Sequence, residues 1–448
     1  MDLVIVLPGI MGSILESPRG AVWNAEVGVL ARGLSNVAGT LAELALPAGI
    51  DDGDPDPSGY VPTDLVRGWS IWPGFHSGPG YGAFLDDLLK RSGRYGNMRL
   101  FPYDWRLSNR YSARRLQSFV ESELSKWRED SGQRNAKVTF IAHSMGGLVA
   151  RYYLEVLGGR ELTRHLITLG TPYSGSVKAL QLLAGSVPWP LGRWSVPLRD
   201  SARTMPALWQ LLPVYRCVDS VPEPQMLADV EATMLLGSGA RPLVEDGLRF
   251  HDEIKEAFRT NGEPPYRTHA IVGHGQPTVQ SVRIQGLEVA YPRRYRSRDY
   301  LGDGTVARFA AVPAEWSDDA DAIPVWQKHG SLPNHKYVRD LVWTKANAID
   351  VGSILSPPVK IGLDVPEVAT TDSPLPVVVT ANRPNLRIMI RLKTLAGDLI
   401  RQQTATFDGD DRYSAALPAP PGIWLVEVQP VGETTLSCVT EAVAVIES

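Results

Sequence analysis

The chain has 448 residues, with 45 basic and 49 acidic side chains and a formal net charge of −4. At roughly 150 residues per domain, this length predicts two or three domains and allows a large core. This near-neutral net charge argues against a protein that binds nucleic acid through a basic surface. The two cysteines, Cys217 and Cys438, are too few and too far apart for a disulfide framework or a structural zinc site.

The sequence carries no signal for targeting or for crossing a membrane. No apolar run reaches the roughly 18 residues that a membrane-spanning helix needs. The first seven residues have no basic region, and their apolar stretch is too short for a signal peptide. We therefore expect a cytoplasmic protein whose membrane contact, where it occurs, is peripheral.

From the N-terminus to about residue 352, short apolar runs alternate with helical patterns, as in an α/β domain. Apolar residues at helical spacing predict a helix whose core face runs from Tyr81 to Leu89, and a second helix after Ser112 as its N-cap. This order of elements predicts a mostly parallel sheet covered on both faces. The predicted strands are, in chain order, Val4–Leu7, Val138–Ile141, Leu166–Leu169 and Ala270–Val272.

Two long insertions interrupt this domain, near residues 14–80 and 185–250, and we expect them to form a cap over the site. They contain half of the twelve tryptophans. Residues 186–194 mix aromatic, basic and proline residues, as segments at a lipid interface often do. Aromatic packing inside a rigid cap explains the same composition equally well.

The pattern changes after Lys345. A segment rich in proline, serine and threonine is followed by short runs with period-two alternation, such as residues 386–392, separated by turn signals. About seven strands fit into this region, which predicts a small all-β sandwich of immunoglobulin-like size. We therefore predict two domains, residues 1–352 and 356–448.

The strongest catalytic motif is a strand that runs directly into Ala142-His143-Ser144-Met145-Gly146, with a helical pattern immediately after it. Small residues around a serine in this context are typical of a nucleophile elbow, whose turn is too tight for larger side chains. Ala142 stands where glycine is commoner, and its methyl group still fits. We predict Ser144 as the nucleophile and the Met145 N–H, at the helix start, as one oxyanion donor.

A serine nucleophile needs a histidine base and a carboxylate that orients the base, and in this class of site the acid precedes the histidine in the chain. Asp303 lies between two glycines, which permits a tight loop that directs its carboxylate inward. Asp299 is the alternative acid. His335 lies in a loop directly before a helical pattern, and we predict it as the base, with His329 as the competing choice.

The oxyanion hole needs a second N–H from the loop after an early strand. Pro8-Gly9-Ile10-Met11 forms such a loop after the first predicted strand, and Gly9 allows a close approach. We predict the Ile10 N–H as the second donor, with Met11 as the alternative. None of these roles implies a metal ion or an organic cofactor.

Six motifs occur in a fixed order along residues 1 to about 350. They are Pro8-Gly9, Pro102-Tyr103-Asp104-Trp105-Arg106, Ala142–Gly147, Leu169–Ser176, Gly273–Thr278 and Gly302–Val306. As an ordered set they resemble the lecithin:cholesterol acyltransferase family, which includes lysosomal phospholipase A2 and phospholipid:diacylglycerol acyltransferases. The resemblance implies an α/β-hydrolase with cap insertions. Its triad would be Ser144, Asp303 and His335, and its oxyanion hole the residues after Gly9 and Ser144.

The resemblance also implies structural roles for Asp104 and Arg106. The disulfide-closed lid of the secreted animal members is absent, since no cysteine precedes Cys217. The C-terminal sandwich is not part of the animal pattern either. Sterol specificity and an apolipoprotein partner are therefore not carried over.

These observations predict a serine-dependent lipid esterase, a phospholipase and/or an O-acyltransferase, that works through an acyl-Ser144 intermediate. Its partner would be a lipid ester, in the first place a phospholipid, at the membrane surface. One rival function is the hydrolysis of small soluble esters. Another is a partner-regulated lipase effector whose C-terminal sandwich binds a protein.

Overall fold

The computed structural model describes most of the chain, in stretches separated by short gaps. Within these stretches, no helix is both long and apolar enough to span a membrane. The described residues are 1–18, 20–24, 43–47, 59–72, 76–92, 96–186, 195–220, 223–229, 233–237, 239–285, 288–316, 322–347, 359–384, 386–432 and 438–447.

The N-terminal part of the chain is built around β-strands that alternate with helices. The strands are β1 (Leu3–Leu7), β2 (Ser13–Ser17), β3 (Gly20–Trp23), β4 (Val61–Leu65), β5 (Ser70–Trp72), β6 (His76–Gly78), β7 (Met98–Leu100), β8 (Val138–His143), β9 (Thr163–Leu169), β10 (Arg267–His274), β11 (Arg283–Gln285), β12 (Glu288–Ala290) and β13 (Ile323–Trp326).

Six of these strands form the central sheet, in the order β13-β10-β9-β8-β1-β7, and all neighbours run parallel. The four predicted strands are confirmed as β1, β8, β9 and β10. The sequence analysis missed β7, which has only three residues, and β13, which contains Pro324. A proline is tolerated in β13 because that strand lies at the sheet edge. All carboxyl ends meet at one side of the sheet, where sites form in open α/β folds.

Helices cover both faces of this sheet. The helices described in this part of the chain are α1 (Gly82–Ser92), α2 (Asn109–Ser131), α3 (Met145–Glu155), α4 (Val177–Leu183), α5 (Ser195–Arg203), α6 (Pro206–Trp209), α7 (Thr233–Leu236), α8 (Arg241–Asn261) and α9 (Lys336–Ala346), with 3-10 turns at Gly159–Leu162, Leu227–Asp229 and Arg308–Ala311.

The two predicted helices are present as α1 and α2, with one correction to each. The N-cap of α2 is Ser108, whose hydroxyl accepts the Arg110 N–H at 3.2 Å, so Ser112 lies inside the helix. An N-cap must precede the first helical turn, and the apolar periodicity alone did not reveal that extra turn. Leu89 is 47% exposed and faces away from the core, unlike the buried Leu85 and Leu88 of the same helix.

The described parts of the two insertions lie around this sheet. The first contains the small antiparallel sheet β3-β2-β4 and the β5–β6 hairpin, and the second contains α5, α6, α7 and the start of α8. The predicted interfacial segment 186–194 lies, apart from Ser186, outside the described residues. The predicted boundary between residues 352 and 356 also lies outside them.

The C-terminal part is all-β, as predicted, and its nine described strands exceed the seven expected. They form two sheets, β14-β16-β20-β19 and β15-β22-β21-β17-β18, which are antiparallel except for the β15–β22 pair. Eighteen buried apolar residues contributed by both sheets form one hydrophobic cluster. The strands are β14 (Ile361–Asp364), β15 (Val368–Thr370), β16 (Leu375–Ala381), β17 (Ile388–Lys393), β18 (Leu399–Thr404), β19 (Thr406–Gly409), β20 (Arg412–Leu417), β21 (Gly422–Pro430) and β22 (Val439–Ile446).

Candidate active site

Ser144 stands on a sharp turn between β8 and α3, at the carboxyl edge of the sheet. Its backbone has φ 52° and ψ −127°, a strained conformation for a residue other than glycine. The glycines after it are required by close packing, since a Cβ on Gly146 would lie 2.3 Å from the Pro8 carbonyl oxygen. A Cβ on Gly147 would lie 2.0 Å from the Thr171 hydroxyl. This is the geometry of a nucleophile elbow, which holds the serine hydroxyl out of the turn.

A histidine and a carboxylate complete a hydrogen-bonded chain with this serine. His329 Nε2 lies 2.8 Å from Ser144 Oγ, and His329 Nδ1 lies 2.6 Å from Asp303 Oδ2. An ionised carboxylate only accepts hydrogen bonds, so His329 Nδ1 carries the proton and Nε2 is free to accept the serine proton. All three side chains are buried. Chemically, this arrangement can supply a nucleophile, a general base and a group that fixes the base's tautomer.

The carboxylate of Asp303 is held by its own loop. Its Oδ1 accepts the Thr305 N–H at 2.9 Å and the Val306 N–H at 2.7 Å, which leaves Oδ2 for the histidine. Asp303 can take this position only because residue 273 on β10 is a glycine, since a Cβ on Gly273 would lie 2.3 Å from Asp303 Cβ. The alternative acid, Asp299, instead accepts hydrogen bonds from a glutamine side chain at 2.6 Å and a backbone N–H at 2.7 Å.

The sequence-based choice of His335 as the base is corrected to His329. His329 follows the end of β13 by three residues and therefore stays at the sheet edge that carries Ser144, whereas His335 lies nine residues beyond the strand as the N-cap of α9. The His335 backbone carbonyl accepts the first-turn N–H of Arg339 at 3.0 Å. Detection of β13 in the sequence would have favoured His329, because catalytic loops directly follow strand ends.

The loop after β1 lies against the serine, as predicted for an oxyanion loop. A Cβ on Gly9 would lie 2.8 Å from Ser144 Cβ, so only glycine allows this approach. The Gly12 N–H donates to the Gly9 carbonyl at 3.0 Å and closes a turn in which Met11 has φ 61°. Within the described residues, no backbone carbonyl accepts the Ile10 N–H. The Met145 N–H, in the first turn of α3, has no partner inside its helix.

The motif of residues 102–106 holds this loop from the other side. The Tyr103 hydroxyl donates to the Pro8 carbonyl at 2.9 Å, and Trp105 Nε1 donates to the Ser13 carbonyl at 3.3 Å. Arg106 and Asp104 form a buried bidentate pair, with distances of 2.9 Å and 2.6 Å. This pair stabilises the segment 102–106, which supports the loop after β1. It does not contact Ser144, in agreement with the structural role expected.

A hydrogen-bonded relay that the sequence analysis missed connects the loop after β1 to the histidine. The Tyr81 hydroxyl accepts the Gly9 N–H at 2.7 Å, and it lies 2.7 Å from His143 Nδ1. His143 Nε2 lies 3.1 Å from the carbonyl oxygen of His329. Because burial raises the pKa of Tyr81, the phenol stays protonated and donates to His143 Nδ1. His143 therefore carries its proton on Nε2, and this N–H donates a hydrogen bond to the backbone carbonyl of His329.

Comparison with known proteins shows which proteins this chain is similar to. Residues 81–219 match the family model described as lecithin:cholesterol acyltransferase. The chain is 25% identical over 200 residues to the phosphatidylcholine-sterol acyltransferase of Gallus gallus, covering 41% of this chain and 45% of that protein. It is 40% identical over 76 residues to an uncharacterised protein of Saccharomyces cerevisiae, covering 17% of this chain and 10% of that protein. The chain thus spans less than half the length of these relatives.

Among solved structures, the propeptide form of a Bacillus licheniformis lipase has a TM-score of 0.34 at 11% identity, covering 98% of this chain and 73% of that one. The phospholipase PlaB of Legionella pneumophila has a TM-score of 0.26 at 12% identity, covering 85% and 91%. The family match spans the serine and its elbow, which lie at the carboxyl edge of the parallel sheet described above. The parallel sheet with its serine elbow therefore has an α/β-hydrolase fold, and residues 81–219 are similar to the lecithin:cholesterol acyltransferase family.

Proposed function

We propose that this protein is a serine-dependent lipid esterase, a phospholipase and/or an O-acyltransferase, that works through an acyl-Ser144 intermediate. The observation that carries the proposal is the unbroken hydrogen-bonded chain from Ser144 through His329 to Asp303. The family match supports a lipid ester, in particular a phospholipid, as the substrate.

In the first half-reaction, Ser144 Oγ attacks the ester carbonyl carbon while His329 Nε2 accepts the hydroxyl proton. The carbonyl oxygen becomes an oxyanion, for which the Ile10 and Met145 N–H groups are the proposed donors. Asp303 stabilises the imidazolium without taking its proton. The tetrahedral intermediate then collapses, the bond to the leaving alcohol breaks, and His329 Nε2 gives its proton to the leaving oxygen.

In the second half-reaction, an acceptor hydroxyl attacks the acyl-Ser144 ester. His329 accepts the acceptor's proton and returns a proton to Ser144 Oγ as the acyl group leaves. Water as the acceptor gives a free fatty acid, and an alcohol gives a new ester. The outcome depends on how well the closed site excludes water and admits an alcohol.

We propose that residues 1–352 form the catalytic domain and that residues 356–448 form an immunoglobulin-like sandwich. One hydrophobic cluster shared by the two C-terminal sheets supports the second assignment. The insertions near residues 14–80 and 185–250 are proposed as the cap that contacts lipid. Membrane contact of this kind would be peripheral.

The test is product analysis by mass spectrometry after incubation with mixed phospholipid vesicles and a fatty alcohol. Wild type is expected to give lysophospholipid together with a free fatty acid or an acylated alcohol, and Ser144→Ala neither. Cleavage of small esters without any lipid product would instead support the hydrolase of soluble esters. Lipid products from Ser144→Ala at the wild-type rate would refute the proposed mechanism.

A further inference from the structure

An exposed segment rich in arginine precedes the loop of Asp303. Residues 291–300 contain four arginines and three tyrosines but only one carboxylate, that of Asp299. The arginines are exposed, and Arg293 pairs with Asp364 at 2.7 Å. The other three have no carboxylate partner within the described parts of the chain, and these are Arg294, Arg296 and Arg298. The segment is therefore a local excess of positive charge on a chain whose net charge is −4.

The tip of this segment is a tight turn in a strained conformation. Tyr295 and Arg298 exchange two backbone hydrogen bonds, at 2.8 Å and 3.1 Å. The two residues between them, Arg296 and Ser297, have φ of 49° and 66°. Two-residue turns of this kind strongly favour asparagine and glycine, because both central residues need a positive φ. An arginine here costs stability, and strain that a fold retains points to a role for the residue that bears it.

Aromatic rings hold the turn from beneath. The Tyr295 ring stacks on Phe309, with ring centroids 5.0 Å apart. The Arg296 guanidinium carbon lies 5.4 Å from the Tyr295 ring centroid, and that of Arg298 lies 5.0 Å from the Tyr300 ring centroid. Both arginines remain exposed above these rings. The cations are thus presented to solvent on a fixed aromatic base.

The turn lies on the same side of the molecule as Ser144. A cavity of about 690 Å³ is lined by Arg298 together with Ser174 and His274. His274 ends β10 and Ser174 follows β9, so both lie at the carboxyl edge of the central sheet. Arg298 is also only five residues before Asp303, a stretch of chain that spans at most roughly 18 Å. The positive surface and the proposed catalytic groups therefore share one edge of the sheet.

We propose that Arg294, Arg296 and Arg298 form a docking surface for the phosphate groups of an anionic lipid bilayer. The choice of a lipid partner rests on the proposed function, which requires the protein to meet a lipid surface. Guanidinium groups match the geometry of phosphate, and tyrosines beside them suit the headgroup region of a bilayer. A chain of net charge −4 is repelled overall by an anionic surface, so a local cluster has to supply the attraction.

The test measures binding to vesicles whose lipids Ser144 cannot cleave. Ether-linked phosphatidylcholine has no carboxyl ester, and admixed ether-linked phosphatidylglycerol makes the vesicles anionic. Sedimentation gives the partition coefficient of the full-length protein on anionic and on neutral vesicles. The variant that removes the docking surface is Arg294→Gln/Arg296→Gln/Arg298→Gln. The control removes three exposed positive charges at separate places, in Lys255→Gln/Arg401→Gln/Arg412→Gln.

The docking-surface variant should lose binding to anionic vesicles only. Each arginine near an anionic surface contributes about fivefold to binding, so this variant should partition about a hundredfold less than wild type. The control should stay within about threefold of wild type, because charges far from the contact are screened. Added salt should weaken the binding of wild type and reduce its difference from the variant. Neutral vesicles should not distinguish the two proteins.

Arg296→Asn separates the charge from the stability of the fold. Asparagine adopts a positive φ more readily than arginine, so this variant should unfold at the same temperature as wild type or at a higher one. It should nevertheless bind anionic vesicles about fivefold less. Weaker binding by a protein of equal or greater stability does not come from a damaged fold. Should the docking-surface variant not fold, Arg296→Asn decides.

Each result bears on the inference separately from the proposed function. If both triple variants lose binding equally, or if neither loses it, the inference is overturned, and lipid cleavage by wild type would still support the esterase proposal. If anionic vesicles are bound as expected but ester lipids give no product, the esterase proposal fails and the docking surface stands. Binding of a DNA duplex through the same arginines, without binding of anionic vesicles, would overturn the inference in favour of a nucleic-acid surface.

Discussion

Tyr81→Phe tests the hydrogen-bonded relay that joins the loop after β1 to His329, the proposed base. The substitution removes one buried hydroxyl and nothing else. It deprives the Gly9 N–H and His143 Nδ1 of partners that each lie at 2.7 Å. A buried polar group left without a partner costs about 1–3 kcal/mol, so with two such groups we expect the free energy of unfolding to fall by about 2–6 kcal/mol.

The activity should fall for a different reason. Without its bond to Tyr81, the Gly9 peptide is free to shift, and the Ile10 N–H moves with it. Removal of a whole oxyanion donor lowers kcat by about 10²–10³-fold, so displacement of one is expected to lower it by about ten- to a hundredfold. KM should change by less than about threefold, because the loss affects the transition state more than the bound substrate.

The assay is aryl-ester hydrolysis together with urea unfolding, and Tyr152→Phe is the control. The Tyr152 hydroxyl donates to Glu253 at 2.9 Å, well along α3 from Ser144. The control should lose about 1 kcal/mol of stability and keep kcat within about twofold. If Tyr81→Phe lost the expected stability but kept its kcat, the relay would be structural only and the positioning argument would be refuted.

Three further predictions concern the triad and its surroundings. His329→Ala should lower kcat by at least about 10⁴-fold while His335→Ala stays within about tenfold, which ester hydrolysis by both purified variants will check. Gly170→Ala places a methyl group 3.0 Å from the triad carboxylate at φ 60°, so its kcat should fall by at least about tenfold. Gly158→Ala, with φ 80° and open space, should show similar strain with unchanged kcat. Burial lowers the pKa of His269 to about 4, so the unfolded chain binds more protons below about pH 6.5 and stability should fall from there towards pH 4. Urea unfolding should show a weaker pH dependence in His269→Gln.

The turn that carries Ser144, the proposed nucleophile, could be predicted from the sequence because its signal is local. The strand, the small residues and the helix that define the elbow lie within one continuous stretch, residues 138–155. Asp303, the proposed acid, was recognisable for a similar reason, since the glycines around it permit the turn that its own loop forms. The oxyanion loop follows β1 directly and lies against the serine, as expected.

The base and the relay depend on contacts between distant parts of the chain. The choice between His329 and His335 turned on β13, a four-residue edge strand whose proline hides it from a periodicity analysis. Tyr81 lies 62 residues from His143, so its contact follows only from the packing of α1 against the sheet edge. The sequence analysis assigned Tyr81 to a core face and had no local pattern that predicted a hydrogen bond.

The C-terminal part of the chain supports the loop that carries His329, the proposed base, which argues against treating that part as a detachable binding module. Gln327 Nε2 donates to the Cys438 carbonyl at 3.4 Å, and Lys328 pairs with Glu441 at 3.1 Å, so both residues before His329 are held by that part. Lys328 is only 12% exposed, so loss of its partner would leave a nearly buried charge unpaired. A chain ending at residue 352 should therefore have lower ester-hydrolysis activity than the full chain, by at least about tenfold, or fail to fold. Circular dichroism and aryl-ester hydrolysis distinguish these two results. A folded, more active truncation would instead support a lipase that its C-terminal domain keeps closed.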